Sequence, residues 1–283
     1  MSISERGMEK ARQSSSSANT GLPPAAKVEG FVPGAVSHEV NRRAFSSSRL
    51  ASRTPLKVAP VPELVTATPN SLQGGAYQLL KQYLLAYRKK HEPMSLFMVT
   101  SAMRNEGKTM VANNLAVTLA YEYDIRVMLI DADLRAPCCH KMMGIKRDKG
   151  LSDILLHGTP FEEVLIHTGL GRLSMIGAGS PIEKPDELFT STLMSNFLHE
   201  GKERYFDRVV IIDTVPLLPF PESRALSQQV DGIILVAREN VTAKAHLDEA
   251  LNELEGLPLL GVVYNDASNY GADREVFELP YAY

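Results

Sequence analysis

From residue 76 onward, short apolar runs alternate with longer amphipathic stretches. Phe97–Val99, Val127–Ile130, Leu173–Ile176, Val209–Ile212, Gly232–Val236 and Leu259–Tyr264 are nearly free of charge. Such runs, without polar alternation, suit strands buried on both faces of a parallel sheet. Helical spacing fills the gaps. Tyr77, Leu80, Leu84 and Tyr87 recur at intervals of three and four within Ala76–Lys90, which ends in Arg88-Lys-Lys90. We read that stripe as core-facing. Helices are also expected from Thr109 to Ala120, from Pro185 to Glu200, around Ala225, and from Thr242 to Glu255 with Thr242 as cap. The rhythm predicts an α/β fold, a mainly parallel sheet with helices on both faces.

The chemistry gathers at the strand ends. The run Phe97–Val99 leads into Thr-Ser-Ala-Met-Arg-Asn-Glu-Gly-Lys-Thr109, and a helix follows at once. Strand, polar loop and helix in that order make the phosphate-binding loop of a P-loop nucleoside triphosphatase. Backbone N–H groups of such a loop and of the helix start converge on an anion. The candidate nucleotide-binding residues are Ala102, Asn105, Glu106, Gly107, Lys108, Thr109 and Met110. Lys108 would reach the β- and γ-phosphates of ATP, and the Thr109 hydroxyl would sit on Mg²⁺. Ala102 stands where the usual motif has its first glycine. Two further apolar runs end in Asp131-Ala-Asp133-Leu-Arg135 and in Asp213-Thr-Val-Pro216. Carboxylates there reach the crevice where open α/β sheets bind ligands. Thr109, Asp131 and Asp213 are candidate metal ligands; Asp131 or Asp133 is the candidate base. Arg135 is expected to touch a phosphate or pair with Asp133. Asn265, directly after the last run, is a candidate contact for the base of the nucleotide.

Charge and composition divide the chain. Residues 1–70 hold nine Lys/Arg and five Asp/Glu, are rich in Ser and Pro, and lack large apolar clusters. Such a segment buries too little to offset its ordering entropy. We expect a mostly disordered basic tail over 1–70, a P-loop domain over 71–266, and a flexible tail over 267–283. The basic tail is read equally as inert or as docking to a partner or an anionic surface. The overall net charge of −3 gives no general attraction to nucleic acid. Cys138 and Cys139 are the only cysteines, so no disulfide framework is expected, and we read them as packing residues. With no long apolar run and no signal peptide apparent, a cytoplasmic protein is expected.

The segments Thr100–Thr109, Leu129–Arg135 and Phe206–Asp213 resemble the three nucleotide motifs of the bacterial tyrosine kinases of exopolysaccharide synthesis. The opening Met1–Lys10 resembles their stand-alone subgroup, found beside exosortase-linked loci. The resemblance implies an ATP- and Mg²⁺-dependent tyrosine autokinase whose acceptors are C-terminal tyrosines. Here these are Tyr270, Tyr281 and Tyr283. It also implies a membrane polysaccharide co-polymerase or chain-length determinant as partner, a tyrosine phosphatase, self-association through tail-in-active-site contacts, and a peripheral position at the membrane through the partner. Three features depart from the family. Met103-Arg-Asn105 replaces a Pro-Gly loop tip, Thr214-Val-Pro216 replaces a two-proline segment, and Gly75, Gln78 and Lys81 stand where an oligomerisation helix carries Glu, Arg and Arg. Two alternatives are a partition-type P-loop ATPase and a non-catalytic nucleotide-dependent adaptor. The first carries an extra lysine where Met103 stands here.

Overall fold

The computed structural model describes residues 64, 71–91, 95–146, 148–204 and 208–268. The expectations for the N-terminal tail, Leu64 excepted, and for Tyr270, Tyr281 and Tyr283 concern residues outside these.

Helix α1, Leu72–Lys90, starts at Ser71, whose Oγ accepts the Gly74 N–H at 3.0 Å, and closes on Arg88, Lys89 and Lys90. Then come β1, Leu96–Ser101, α2, Lys108–Ala120, and β2, Arg126–Asp131. Three short helices follow: α3, Cys139–Met142, α4, Leu151–His157, and α5, Phe161–Val164. Strands β3, Ile166–His167, and β4, Leu173–Ile176, precede α6, Pro185–Phe189, and α7, Thr192–Arg204. The chain continues through β5, Arg208–Asp213, α8, Pro221–Ser227, β6, Gly232–Arg238, α9, Lys244–Glu253, and β7, Leu259–Asn265.

The strands form one sheet in the order β3-β4-β2-β5-β1-β6-β7. Every pairing is parallel except β3 with β4. Side chains alternate between two cores, as the pleat requires. Leu96, Met98, Met128, Ile130, Val210 and Ile212 enter one, packed with α4 to α9. Phe97, Val99, Val127, Leu129, Val209 and Ile211 enter the other, with α1, α2 and α3. The predicted stripe of α1 faces this second core: Leu84 is fully buried and Tyr77, Leu80 and Tyr87 pack against it. Leu64, from the stretch read as tail, is buried there too.

Three expectations change. Pro185–Glu200 is two helices, because Thr190 Oγ1 bonds back to the Asp186 and Glu187 carbonyls and Ser191 Oγ to that of Leu188. These local bonds compete with helix continuation. The cap position of α9 is Ala243, not Thr242, whose hydroxyl is engaged elsewhere. The antiparallel β3 is too short to leave a periodic signal.

Register matters most for function. Asp131 pairs with Asp213 across β2 and β5, and Val99 pairs with Asp213 across β1 and β5. The ladder therefore sets both acidic strand ends beside the loop that leaves β1.

Candidate active site

The loop between β1 and α2 is held from inside. Glu106 is buried; its Oε2 accepts the Met103 N–H at 2.9 Å and its Oε1 accepts the Thr242 hydroxyl at 2.6 Å. This side chain, expected from the sequence to contact the nucleotide, turns inward and ties the loop to the segment after β6. Asn265 Nδ2 donates to the Glu106 carbonyl at 3.0 Å, and Arg238 Nη1 donates to that of Asn105 at 3.2 Å. Ala102 is fully buried, its carbonyl accepting the Leu218 N–H at 3.3 Å. Asn105 and Gly107 take positive φ, 66° and 94°. At Gly107 a Cβ would come 2.1 Å from Asn265 Nδ2, so the amide would have to move, and the positive φ itself favours glycine. Gly107 starts α2 with no side-chain cap, which leaves the helix N-terminus directed at the loop's concavity.

Facing the loop, Lys108 Nζ lies 3.0 Å from Asp133 Oδ2. Burial pulls the Lys108 pKa down, but the Asp213 and Asp133 charges and the Asp133 hydrogen bond outweigh it, so the ammonium holds its proton more tightly than usual. Asp133 Oδ1 accepts the Ala136 N–H at 2.9 Å. Asp131 accepts the N–H groups of Asp133, at 3.3 Å, and Cys139, at 3.0 Å. Burial, with Asp213 beside it, pushes the Asp131 carboxyl up to about 7. Asp213 goes up to about 6, through burial, with the Lys108 charge and the Thr109 side-chain hydrogen bond opposing.

Cys139, read from the sequence as packing alone, is placed between these carboxyls. Its thiol donates to Asp213 Oδ2 at 3.4 Å, and potential ligand atoms of Asp131, Cys139 and Asp213 lie within 4.8 Å of one another. Burial raises the Cys139 pKa well above the ordinary thiol value, so it is a neutral donor. Asp213 Oδ1 is buried with no hydrogen-bond partner among the described residues. A buried, unsatisfied carboxylate oxygen beside a second carboxyl is costly by itself and fits a hard divalent cation with oxygen ligands. The donor set Thr109, Asp131 and Asp213 thus fits Mg²⁺.

The structure brings Lys108, Thr109, Asp131, Asp133 and Asp213 together. Arg135 pairs not with Asp133 but with Glu222, Nε to Oε1 at 2.6 Å, because Lys108 already occupies Asp133. Phe220, which the sequence did not single out, carries the guanidinium centres of Arg104 and Arg135 at 5.0 and 4.9 Å from its ring centroid.

Residues 97–275 match the CobQ/CobB/MinD/ParA nucleotide binding domain. Tyrosine-protein kinase YwqD of Bacillus subtilis is 31% identical over 70% of this chain and 82% of its own length. Tyrosine-protein kinase ptk of Acinetobacter johnsonii is 33% identical over 63% of this chain, which spans only 24% of that relative. The solved kinase domain of the Escherichia coli tyrosine kinase ETK superposes with a TM-score of 0.67 at 27% identity, over 75% of this chain and 82% of that one. That of VpsO gives 0.59 at 30% identity, over 68% and 97%. The chain belongs to the CobQ/CobB/MinD/ParA nucleotide-binding family and, within it, to the bacterial tyrosine-protein kinases.

Proposed function

We propose that this chain is an ATP-dependent protein-tyrosine autokinase that regulates exopolysaccharide chain synthesis or export. The observation that carries the reading is the convergence of Lys108, Thr109 and three strand-end carboxylates in a chain whose relatives are named tyrosine-protein kinases. Backbone N–H groups of Ala102 and of Asn105 to Met110, at the start of α2, receive the phosphates of ATP. Asn265 borders the base.

Thr109, Asp131 and Asp213 would hold Mg²⁺, which would supply charge neutralisation to the phosphates. Lys108 turns from Asp133 to the phosphates and stabilises the charge that grows on the transferred group. Asp133, released by Lys108, takes the phenol proton of the acceptor tyrosine, whose unperturbed pKa is about 10. The bond from the γ-phosphorus to the bridging oxygen breaks, a bond to the phenol oxygen forms, and ADP leaves.

The acceptors are Tyr281 and Tyr283, with Tyr270 as a further site, presented to the active site of another copy. The partners are a membrane polysaccharide co-polymerase and a tyrosine phosphatase. Among the described residues no helix is long and apolar enough to cross a membrane. The co-polymerase would bring the kinase to the bilayer. Incubation of the purified chain with labelled ATP, then acid hydrolysis, tests the reading. Phosphotyrosine is expected; free phosphate alone marks an ATPase, and neither product marks an adaptor.

A further inference from the structure

The Arg104 side chain sits at the exposed tip of the phosphate loop, four residues before Lys108. Its guanidinium lies over Phe220, and among the described residues no carboxylate pairs with it. Arg135 lies over the same ring, but its charge is committed to the buried Glu222. One of the two cations on this aromatic shelf is thus neutralised, and the other is held in place with no carboxylate partner among the described residues. An exposed cation–π contact is weak, enough to bias the Arg104 rotamer without satisfying its N–H donors, which no carboxylate among the described residues accepts from.

The chain itself supplies carboxylates of the matching sign. Between residue 269 and the end it carries Asp273, Glu275 and Glu278 against Arg274 alone, all before Tyr281. In an extended segment the Cα atoms of Glu278 and Tyr281 are about 10 Å apart, and Arg104 is at most about 14 Å of chain from Lys108. A tyrosine held near the Lys108 end of the loop therefore leaves the loop tip within reach of the residues before it.

We infer that Arg104, seated on Phe220, is a specificity determinant that reads acidic residues on the N-terminal side of the acceptor tyrosine, presented by a second copy of this chain. The inference rests on the kinase reading and names its substrate class: tyrosines preceded by carboxylates.

The test is a charge swap between full-length chains. The donor carries Tyr270→Phe, Tyr281→Phe and Tyr283→Phe, so that it cannot label its own tail, with Arg104 kept or changed as Arg104→Glu. The acceptor carries Lys108→Met, so that it cannot transfer phosphate, with its tail kept or changed as Glu275→Lys plus Glu278→Lys. The readout is the ratio of phosphotyrosine formed on the two acceptors by each donor. This ratio is insensitive to any general loss of activity in the Arg104 variant. The donor with Arg104 should prefer the acidic tail by about fivefold or more, and the Arg104→Glu donor should prefer the lysine tail. Equal ratios for the two donors, with labelling present, overturn this inference alone. No phosphotyrosine on either acceptor from the donor with Arg104 overturns it, and the kinase reading falls with it only where the wild-type chain alone also forms none.

Discussion

Lys108 Nζ and Asp133 Oδ2 stand 3.0 Å apart, which joins the phosphate loop to the segment after β2 through one largely buried ion pair. Phosphates entering the loop compete with Asp133 for the same ammonium, so binding a nucleotide would uncover the carboxylate. The two residues should then fail differently. Lys108→Met should lose both nucleotide affinity and transfer, the latter by about 10²–10³-fold or more. Asp133→Asn should retain nucleotide binding, since it frees the lysine, yet lose about 10²–10⁴ in transfer. Calorimetric titration beside single-turnover labelling separates these outcomes; equal loss of binding in both variants would contradict the division of roles.

The raised carboxyls make a statement about stability. Asp131, at about 7, and Asp213, at about 6, hold their protons more tightly folded than unfolded. From about pH 4, the ordinary carboxylate range, up to those values the folded chain binds protons that the unfolded chain has released. Their contribution to stability is therefore lost as pH rises through that window. The melting temperature of wild type should fall between pH 5 and pH 8 more steeply than that of Asp131→Asn, which has no charge to desolvate. Mg²⁺ with ATP should restore stability at pH 8 in wild type. Parallel slopes for the two proteins would contradict this electrostatic account.

The inward-turned Glu106 gives a prediction far from the phosphates in sequence. Thr242→Val removes the hydroxyl that donates to Glu106 Oε1 and accepts the Arg238 N–H at 2.8 Å. Losing such a buried bond costs about 1–3 kcal/mol. A loosened loop should weaken nucleotide binding by about tenfold, as read by equilibrium titration. Unchanged affinity would mean that Glu106 keeps the loop's shape without this tie.

Much of this was legible in the sequence, and the gaps have physical causes. Runs such as Val209–Ile212 announced strands because both faces of the central strands are buried. The pleat then carried Asp131 and Asp213 to neighbouring positions. Lys108 and Thr109 were legible because glycine, lysine and a hydroxyl residue at a helix start have a chemical reason to adjoin. What escaped notice depends on long-range packing. Nothing local says that the Cys139 thiol reaches Asp213, that Arg135 finds Glu222, or that Thr242 prefers Glu106 to capping α9. The break after Phe189 was hidden because Thr190 and Ser191 are weak helix formers whose hydroxyl bonds, not a proline or glycine, set the boundary.

The tail tyrosines yield a separable prediction. Changing Tyr281 and Tyr283 to Phe should remove most incorporated phosphate while nucleotide affinity stays as in wild type. Peptide mapping by mass spectrometry is the check. Label found chiefly on tyrosines of the P-loop domain such as Tyr121, which is exposed, would contradict the tail assignment.

Phosphoamino acid analysis of the full chain after reaction with γ-labelled ATP and Mg²⁺, wild type beside Lys108→Met, tests the central claim most directly. The account predicts phosphotyrosine in wild type and none above background in the variant, with both proteins showing the same circular dichroism. Free phosphate without phosphotyrosine in wild type, or equal phosphotyrosine in both, would contradict it.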